Sequence, residues 1–411
     1  MENNWFNSSD IIKYENIIIK NLHGYVLPHA GTSHSGNIIS HTLRFKPEKN
    51  FDNILIIYLP ANKTPNVGDY YHEYFVPSEC LKIFFKDKKI IGYNVLSPIN
   101  LDQYNLNKNN TLYVVSADFS HFLKINEAIK KENCAAKSLM HKKFYLSCIE
   151  CVDHVESFKI LYNLLPDIVL QWIGRTMSKK SIDKDGGVGY LSFLIRDKPN
   201  IINKIPNKFF VSVYDENMQI HECIGEDNWS LENEKKLITK CINKGYYESR
   251  LTGGRFKKQH LTNFSITYLY LENSKEFIRG YHGLSKGSLY LPDVFLENTY
   301  DNGEWINDKN HLEWPQEFNF NLEDTFKKIN NKSLKYIGKE IEDYNLYSSE
   351  VDHREIKQEG GSLLEYKYGI YNNKIIKVYK KSLDCKYVTE KYNGKLFTLY
   401  KDAKKYKNNH S

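Results

Sequence analysis

Imidazole and carboxylate side chains gather at two places in this chain where an apolar run ends. His29 follows Tyr25-Val26-Leu27-Pro28 and leads through Ala30-Gly31 toward His34 and Gly36. Asp118 and His121, three residues apart, follow the apolar run from Thr111 to Ala117. A proline-fixed strand end followed by glycines puts the His29 ring on a loop whose backbone can come close to a ligand. A carboxylate and an imidazole at the spacing of Asp118 and His121 can orient one another or share a metal. With His29 they make up a two-histidine, one-carboxylate set, a donor combination suited to iron. Plainer roles exist for both places: a loop histidine bonded to local backbone, and an aspartate capping the turn that follows it.

Such residues act together only if the fold brings them together. Tyr25–Leu27, Ile54–Pro60 and Thr111–Ala117 read as buried strands, and Glu127–Phe144 and Glu156–Leu165 have the spacing of amphipathic helices. This alternation predicts an α/β unit. In an open α/β sheet, ligands bind just past the carboxyl ends of neighbouring strands, which is where His29, Ala61-Asn62-Lys63 and Asp118 stand. The polar stretch from Arg196 to Asn207, with Pro199 and Pro206, reads as a domain boundary. Beyond it come strands at Lys208–Val213, ending at Gly225 and at Phe264–Leu271, and a helix from Leu231 that Gly245 should stop.

The motifs also carry two resemblances. Pro28-His29-Ala30-Gly31 with Gly36, Asp118-Phe119-Ser120-His121, Cys151-Val152-Asp153-His154 and Asp185-Gly186-Gly187-Val188-Gly189-Tyr190-Leu191 occur in the order of the Memo family, across about residues 20–197. The resemblance implies a fold like that of class III extradiol dioxygenases and a metal site, iron or copper, to which His29 contributes. It brings Cys151 and His154 to the same pocket, and His34 could serve as a substitute ligand. Thus His29, His121 and His34 are the expected metal ligands, and Asp118 and Cys151 the expected catalytic groups. The chain departs from the family at Ala61-Asn62-Lys63, where a metal-site histidine belongs. The histidine-and-glutamate segment before the Asp118 strand is missing, and Met177-Ser178-Lys179-Lys180 stands where a late ligand cysteine would be.

The second resemblance spans about residues 207–355. Cys223-Ile224-Gly225, Arg255-Phe256, His282-Gly283, Tyr290-Leu291-Pro292-Asp293-Val294 and Tyr347-Ser348-Ser349-Glu350-Val351 resemble the AMMECR domain, a small α+β family. Its activity is unsettled, so packing is the favoured reading of Cys223 and His282. Memo-like and AMMECR-like proteins occur together in prokaryotic systems that also contain a radical-SAM protein, which implies such a system as a partner.

The chain has 411 residues, 41% of them hydrophobic, enough for two or three globular domains. Its seven cysteines are scattered; Cys148 and Cys151 form a Cys-x-x-Cys with no second pair to complete a zinc site, and reduced thiols are expected. The first residues carry no basic and apolar leader, and no run is long enough to span a bilayer, so a soluble, cytoplasmic protein is expected. The net charge of +7 lies in the tail: residues 356–411 hold 13 lysines, no arginine and five acids. That tail alternates apolar and polar residues around Asn372-Asn373 and Asn393-Gly394, as a β-meander would. It is the only part with an electrostatic case for nucleic acid, and the lack of arginine weakens that case.

The expected architecture is a Memo-like α/β domain over 1–197, an AMMECR-like α+β domain over 207–355 and a Lys/Tyr-rich antiparallel β tail over 356–411. The expected function is a metal-dependent redox or dioxygenase-like protein with a partly degenerate site. The rival reading is a metal-free binding or scaffold module that has lost catalysis.

Overall fold

A computed structural model describes residues 5–144, 147–178, 187–201, 205–215, 220–249, 261–273, 276–286, 288–293, 344–356, 366–371 and 374–379. The first unit contains β1 (Ile17–Ile19), β2 (Leu22–Leu27), α1 (Thr32–Leu43), β3 (Phe45–Pro47), β4 (Asn53–Tyr58), α2 (His72–Phe84) and β5 (Lys89–Asn94). It continues through β6 (Thr111–Ser116), β7 (His121–Leu123), α3 (Ile125–Met140), α4 (Val155–Leu164), β8 (Ile168–Met177) and β9 (Gly187–Asp197). Strands β5, β4, β6 and β2 lie side by side and parallel. Antiparallel β9 then follows, pairing with β2, β7 and β8.

Strands β2, β4 and β6 read as unbroken apolar runs because both faces of the sheet are covered. Ile54, Ile56, Leu112 and Val114 pack beneath Ile39 and Leu43 of α1 and Val76 and Leu81 of α2. Leu55, Ile57, Tyr113 and Val115 pack on the other face against Ala135 and Leu139 of α3 and Phe158 and Leu161 of α4. Each such buried side chain contributes roughly 1.5–3 kcal/mol, so the two layers hold the parallel edge rigidly.

The second unit is an antiparallel sheet ordered β11 (Ile220–Asp227), β10 (Lys208–Tyr214), β12 (Asn263–Leu271), β15 (Asn345–Glu355), β13 (His282–Lys286), β14 (Ser288–Tyr290). Helix α5 (Leu231–Glu248) packs Leu237 and Cys241 against Val211, Val213 and Ile266. The units touch directly: Trp172 N–H donates to the Arg279 carbonyl (3.2 Å), and Lys137 pairs with Asp293 (3.2 Å). In the tail, β16 (Tyr366–Tyr371) and β17 (Lys374–Tyr379) form an antiparallel pair, and the strands expected over 386–390 and 395–400 lie outside the described residues, as does Arg255-Phe256.

Four expectations are corrected. The glycine-rich stretch from Gly31 to Gly36 is not a loop: residues from Thr32 onward form α1, and a Cβ at Gly36 would lie 3.0 Å from the Asp10 carbonyl oxygen. Gly245 does not stop α5, which runs to Glu248; a Cβ at 245 would lie 2.4 Å from Val213, so the glycine serves close helix–sheet packing. Helix α3 begins at Ile125 and ends at Met140, short of Phe144. Cys134 and Cys148 are joined as a disulfide rather than reduced, because the turn after α3 brings them face to face across an apolar cluster with Tyr214. Among the described residues no helix is long and apolar enough to cross a membrane.

Burial dominates the protonation of His41, His141, His282 and His353, pulling each down from 6.5 to between about 3 and about 4. The unfolded chain therefore binds more protons below pH 6.5, and these four contributions to stability are lost as the pH falls toward 4. His29, raised to about 9, has the opposite sign: its contribution is full below 6.5 and lost above 9. Unfolding free energies from urea titrations between pH 7 and pH 4 should fall steadily below pH 6.5, by at least about 1.4 kcal/mol per pH unit, the slope for one net proton. A flat profile would mean that these rings protonate without resistance.

Candidate metal centre

The site forms where parallel strands β2 and β6 end in register, Leu27 opposite Ser116. That register sets His29 opposite Asp118, and two hydrogen bonds then clasp three loops. The His29 N–H donates to Asp118 Oδ1 (2.9 Å), and the Asp118 N–H donates to Asp153 Oδ1 (3.0 Å). Asp153 arrives from the loop before α4, and His154 is the N-cap residue of that helix. Each carboxylate spends one oxygen on backbone and turns the other toward the His29 ring. His29 Nε2 lies 3.3 Å from Asp153 Oδ2 and 3.7 Å from Asp118 Oδ2.

The tautomer of His29 follows from its other nitrogen. The Ser116 hydroxyl gives its single proton to the Glu73 carbonyl (2.6 Å), so it accepts from His29 Nδ1–H (3.1 Å). Nε2 is thereby aimed at the two carboxylates, as a lone pair or as a second N–H. Burial pulls the His29 pKa down, but Asp118, Asp153 and Glu73 together outweigh it and raise the ring to about 9. Burial raises the Asp153 carboxyl despite the opposing pull of His29. The carboxylates thus concentrate negative charge around His29 and hold its ring protonated.

His154 behaves differently. It is 2% exposed, and burial together with His29, His72 and His121 keeps it neutral. Its Nε2 lies 3.3 Å from Asp153 Oδ2 but without hydrogen-bond alignment, and neither ring nitrogen has a hydrogen-bond partner. Donor atoms of His29, Asp153 and His154 fall within 4.8 Å of one another, as do those of Asp118, His121 and Asp153.

Of the residues expected from sequence, His29, Asp118, His121 and His154 are gathered here, His121 from an exposed position on β7. His34 is exposed on α1 and belongs to neither group. Cys151 also belongs to neither; it is half-buried against the core, and burial pushes its thiol up, which suits packing better than nucleophilic attack. The departure at Ala61-Asn62-Lys63 has a structural counterpart: Asn62 and Lys63 are exposed, and the Ala61 N–H donates to Glu73 Oε1 (2.7 Å). His72, from α2, stands edge to face with His29 at 5.2 Å between ring centres and stacks on Trp5.

Sequence reading passed over Asp153, Ser116, His72 and Glu73. Asp153 sits between Cys151 and His154, in a motif whose apparent chemistry belongs to the thiol and the imidazole. The others carry no local signal, because they reach the site only through strand register and helix packing. In the second unit, Ser249, His221 and Asp215 form a hydrogen-bonded chain (2.8 and 3.1 Å), yet Ser249 is fully buried at the C-terminal end of α5. A scan against protein-family models and a search of characterised proteins both found no match.

Beneath the Asp118–His121 loop lies a buried support. Ser120 Oγ donates to Glu132 Oε1, and Arg175 Nη1 donates to Glu132 Oε2 (3.3 Å), all three residues being fully buried. Gly189 locks onto this loop by two backbone bonds, and a Cβ there would fall 1.7 Å from Glu132 Oε1 and 2.6 Å from Ser120 Oγ. Gly189→Ala should therefore displace the Ser120–Glu132 pair and cost about 1–3 kcal/mol, read as a lowered urea midpoint. An unchanged midpoint would show that the loop does not depend on this contact.

Proposed function

We propose that the first unit binds one first-row transition metal through His29 Nε2, His154 and Asp153, with Asp118 orienting the set, and acts as a metal-dependent redox protein. The observation that carries this reading is His154: a buried, neutral imidazole with both nitrogens unpartnered, beside a carboxylate and a second imidazole. An orphaned buried ring of this kind costs stability unless a ligand completes it. Two imidazoles and a carboxylate oxygen fit iron(II) better than copper(I), which favours softer sulfur donors, and Cys151 stands outside the group. The Memo-like motifs quoted above support the same reading.

A ferrous ion held by three protein ligands keeps open positions and would supply one-electron and dioxygen chemistry. The protein residues do the remaining work. Ser116 fixes His29 with Nδ1 protonated, leaving Nε2 for the metal, which is the second-sphere arrangement that tunes ligating histidines. Asp118 anchors the His29 backbone, and Asp153 anchors Asp118, so ligand spacing is set before any metal arrives.

A second reading, a metal-free binding module, has its own observation. A protonated His29 already neutralises part of the Asp118 and Asp153 charge, and Asn62 and Lys63 offer no ligand to replace the lost histidine. Metal analysis separates the two. Full-length protein purified without an affinity tag, or incubated anaerobically with ferrous ion, should carry near-stoichiometric iron. His29→Ala and His154→Ala should abolish it, and Ser116→Ala should weaken it by about 10–100-fold. Folded wild-type protein that takes up neither ferrous nor cuprous ion would leave only the metal-free module.

A further inference from the structure

Two donor groups meet at Asp153, and the reading above uses only one of them. Asp118, His121 and Asp153 bring an imidazole nitrogen and two carboxylate oxygens within 4.8 Å of one another. His29 and His154 belong to the other group, which shares Asp153 with this one.

The two groups draw on different oxygens. Asp153 Oδ2 is the one beside the buried rings, 3.3 Å from His29 Nε2 and 3.3 Å from His154 Nε2. Asp153 Oδ1 accepts the Asp118 N–H and retains a second lone pair. Asp118 commits Oδ1 to the His29 N–H, while its Oδ2, 3.7 Å from His29 Nε2, lies beyond hydrogen-bond reach of that ring. His121 approaches both carboxylates from β7, where it pairs with Val188 of β9. Among the described residues its ring makes no hydrogen bond or ion pair, so it stands near the two carboxylates without bonding to either. A gap of that size is too wide for a hydrogen bond and close to the span of two metal–ligand bonds of about 2.0–2.2 Å.

Charge points the same way. Asp118, Asp153 and Glu73 all act on His29. A divalent ion at the first group displaces the proton from His29 Nε2, which leaves three carboxylates facing two positive charges. Buried charge without a partner is costly. We propose that a second divalent cation binds between Asp118, His121 and Asp153, so that Asp153 bridges two ions. One imidazole and two carboxylates are a harder donor set than two imidazoles and one carboxylate, which suits manganese(II) here beside iron(II) at the first group. The inference rests on the metal reading above, because Asp153 is common to both groups.

The test uses full-length protein purified without an affinity tag, loaded anaerobically with about one equivalent of ferrous ion and then titrated with manganese(II). Iron binds more tightly than manganese at nitrogen–oxygen sites, so it is not displaced. The protein should remove about one equivalent of manganese from the EPR signal of the free ion and keep its iron. His121→Ala should weaken manganese by about tenfold or more and retain the iron; His121 is exposed, so this variant leaves the core untouched. His154→Ala should do the reverse, losing iron while still binding manganese. Iron without a second ion, or a manganese affinity unchanged in His121→Ala, would overturn this inference and leave the reading above intact. Manganese held through His121 by protein that takes up no iron would overturn that reading and keep this site, and uptake of neither ion would overturn both.

Discussion

Two backbone-to-carboxylate hydrogen bonds, from His29 to Asp118 and from Asp118 to Asp153, are the constraint on which the first unit's chemistry rests. They tie the ends of two parallel strands to the approach of α4, segments far apart in sequence. Each bond consumes one carboxylate oxygen and orients the other, so the same contacts that order the loops also concentrate negative charge around His29. Buried charge of that kind is costly unless a cation accompanies it. A proton on His29 is one such cation, and the metal ion proposed above would be another.

Strand β9 links this site to the rest of the molecule. Its first residues, Gly187 to Gly189, pair with β7 and brace the Asp118–His121 loop over the buried Ser120, Glu132 and Arg175. Its last residues, Arg196 and Asp197, line a cleft against the second unit. Seven residue steps of extended chain separate Gly189 from Arg196, about 23 Å at strand rise. The brace of the metal group and the contact with the second unit therefore hang on one strand, held on both sides by β2 and β8. Among the described residues, the second unit, with its separate sheet, contributes nothing to the metal group.

Strong local patterns were legible in the sequence. Apolar runs at Tyr25–Leu27, Ile54–Tyr58 and Thr111–Ser116 are strands because a sheet covered on both faces demands unbroken hydrophobicity. Strand β8 was not legible, because Gln171, Arg175 and Thr176 interrupt its pattern; all three are buried, and Arg175 pairs there with Glu132 and Asn133. The Thr32–Leu43 helix was hidden by Gly31 and Gly36, whose turn-like character is overridden by packing on the N-terminal segment at Asp10.

Sequence alone determined which residues could do chemistry and that His29 and Asp118 should meet, because strand ends in a parallel sheet converge on one edge. It also determined the concentration of positive charge in the tail and the polar break between the two units. Only the tertiary structure decided the membership of the site. Asp153 enters through a backbone hydrogen bond, Ser116 through the proton it gives to Glu73, and His154 through burial that strips its ring of partners. Those are properties of register and of what surrounds a side chain, and neither is encoded in the identity of a residue or its neighbours along the chain.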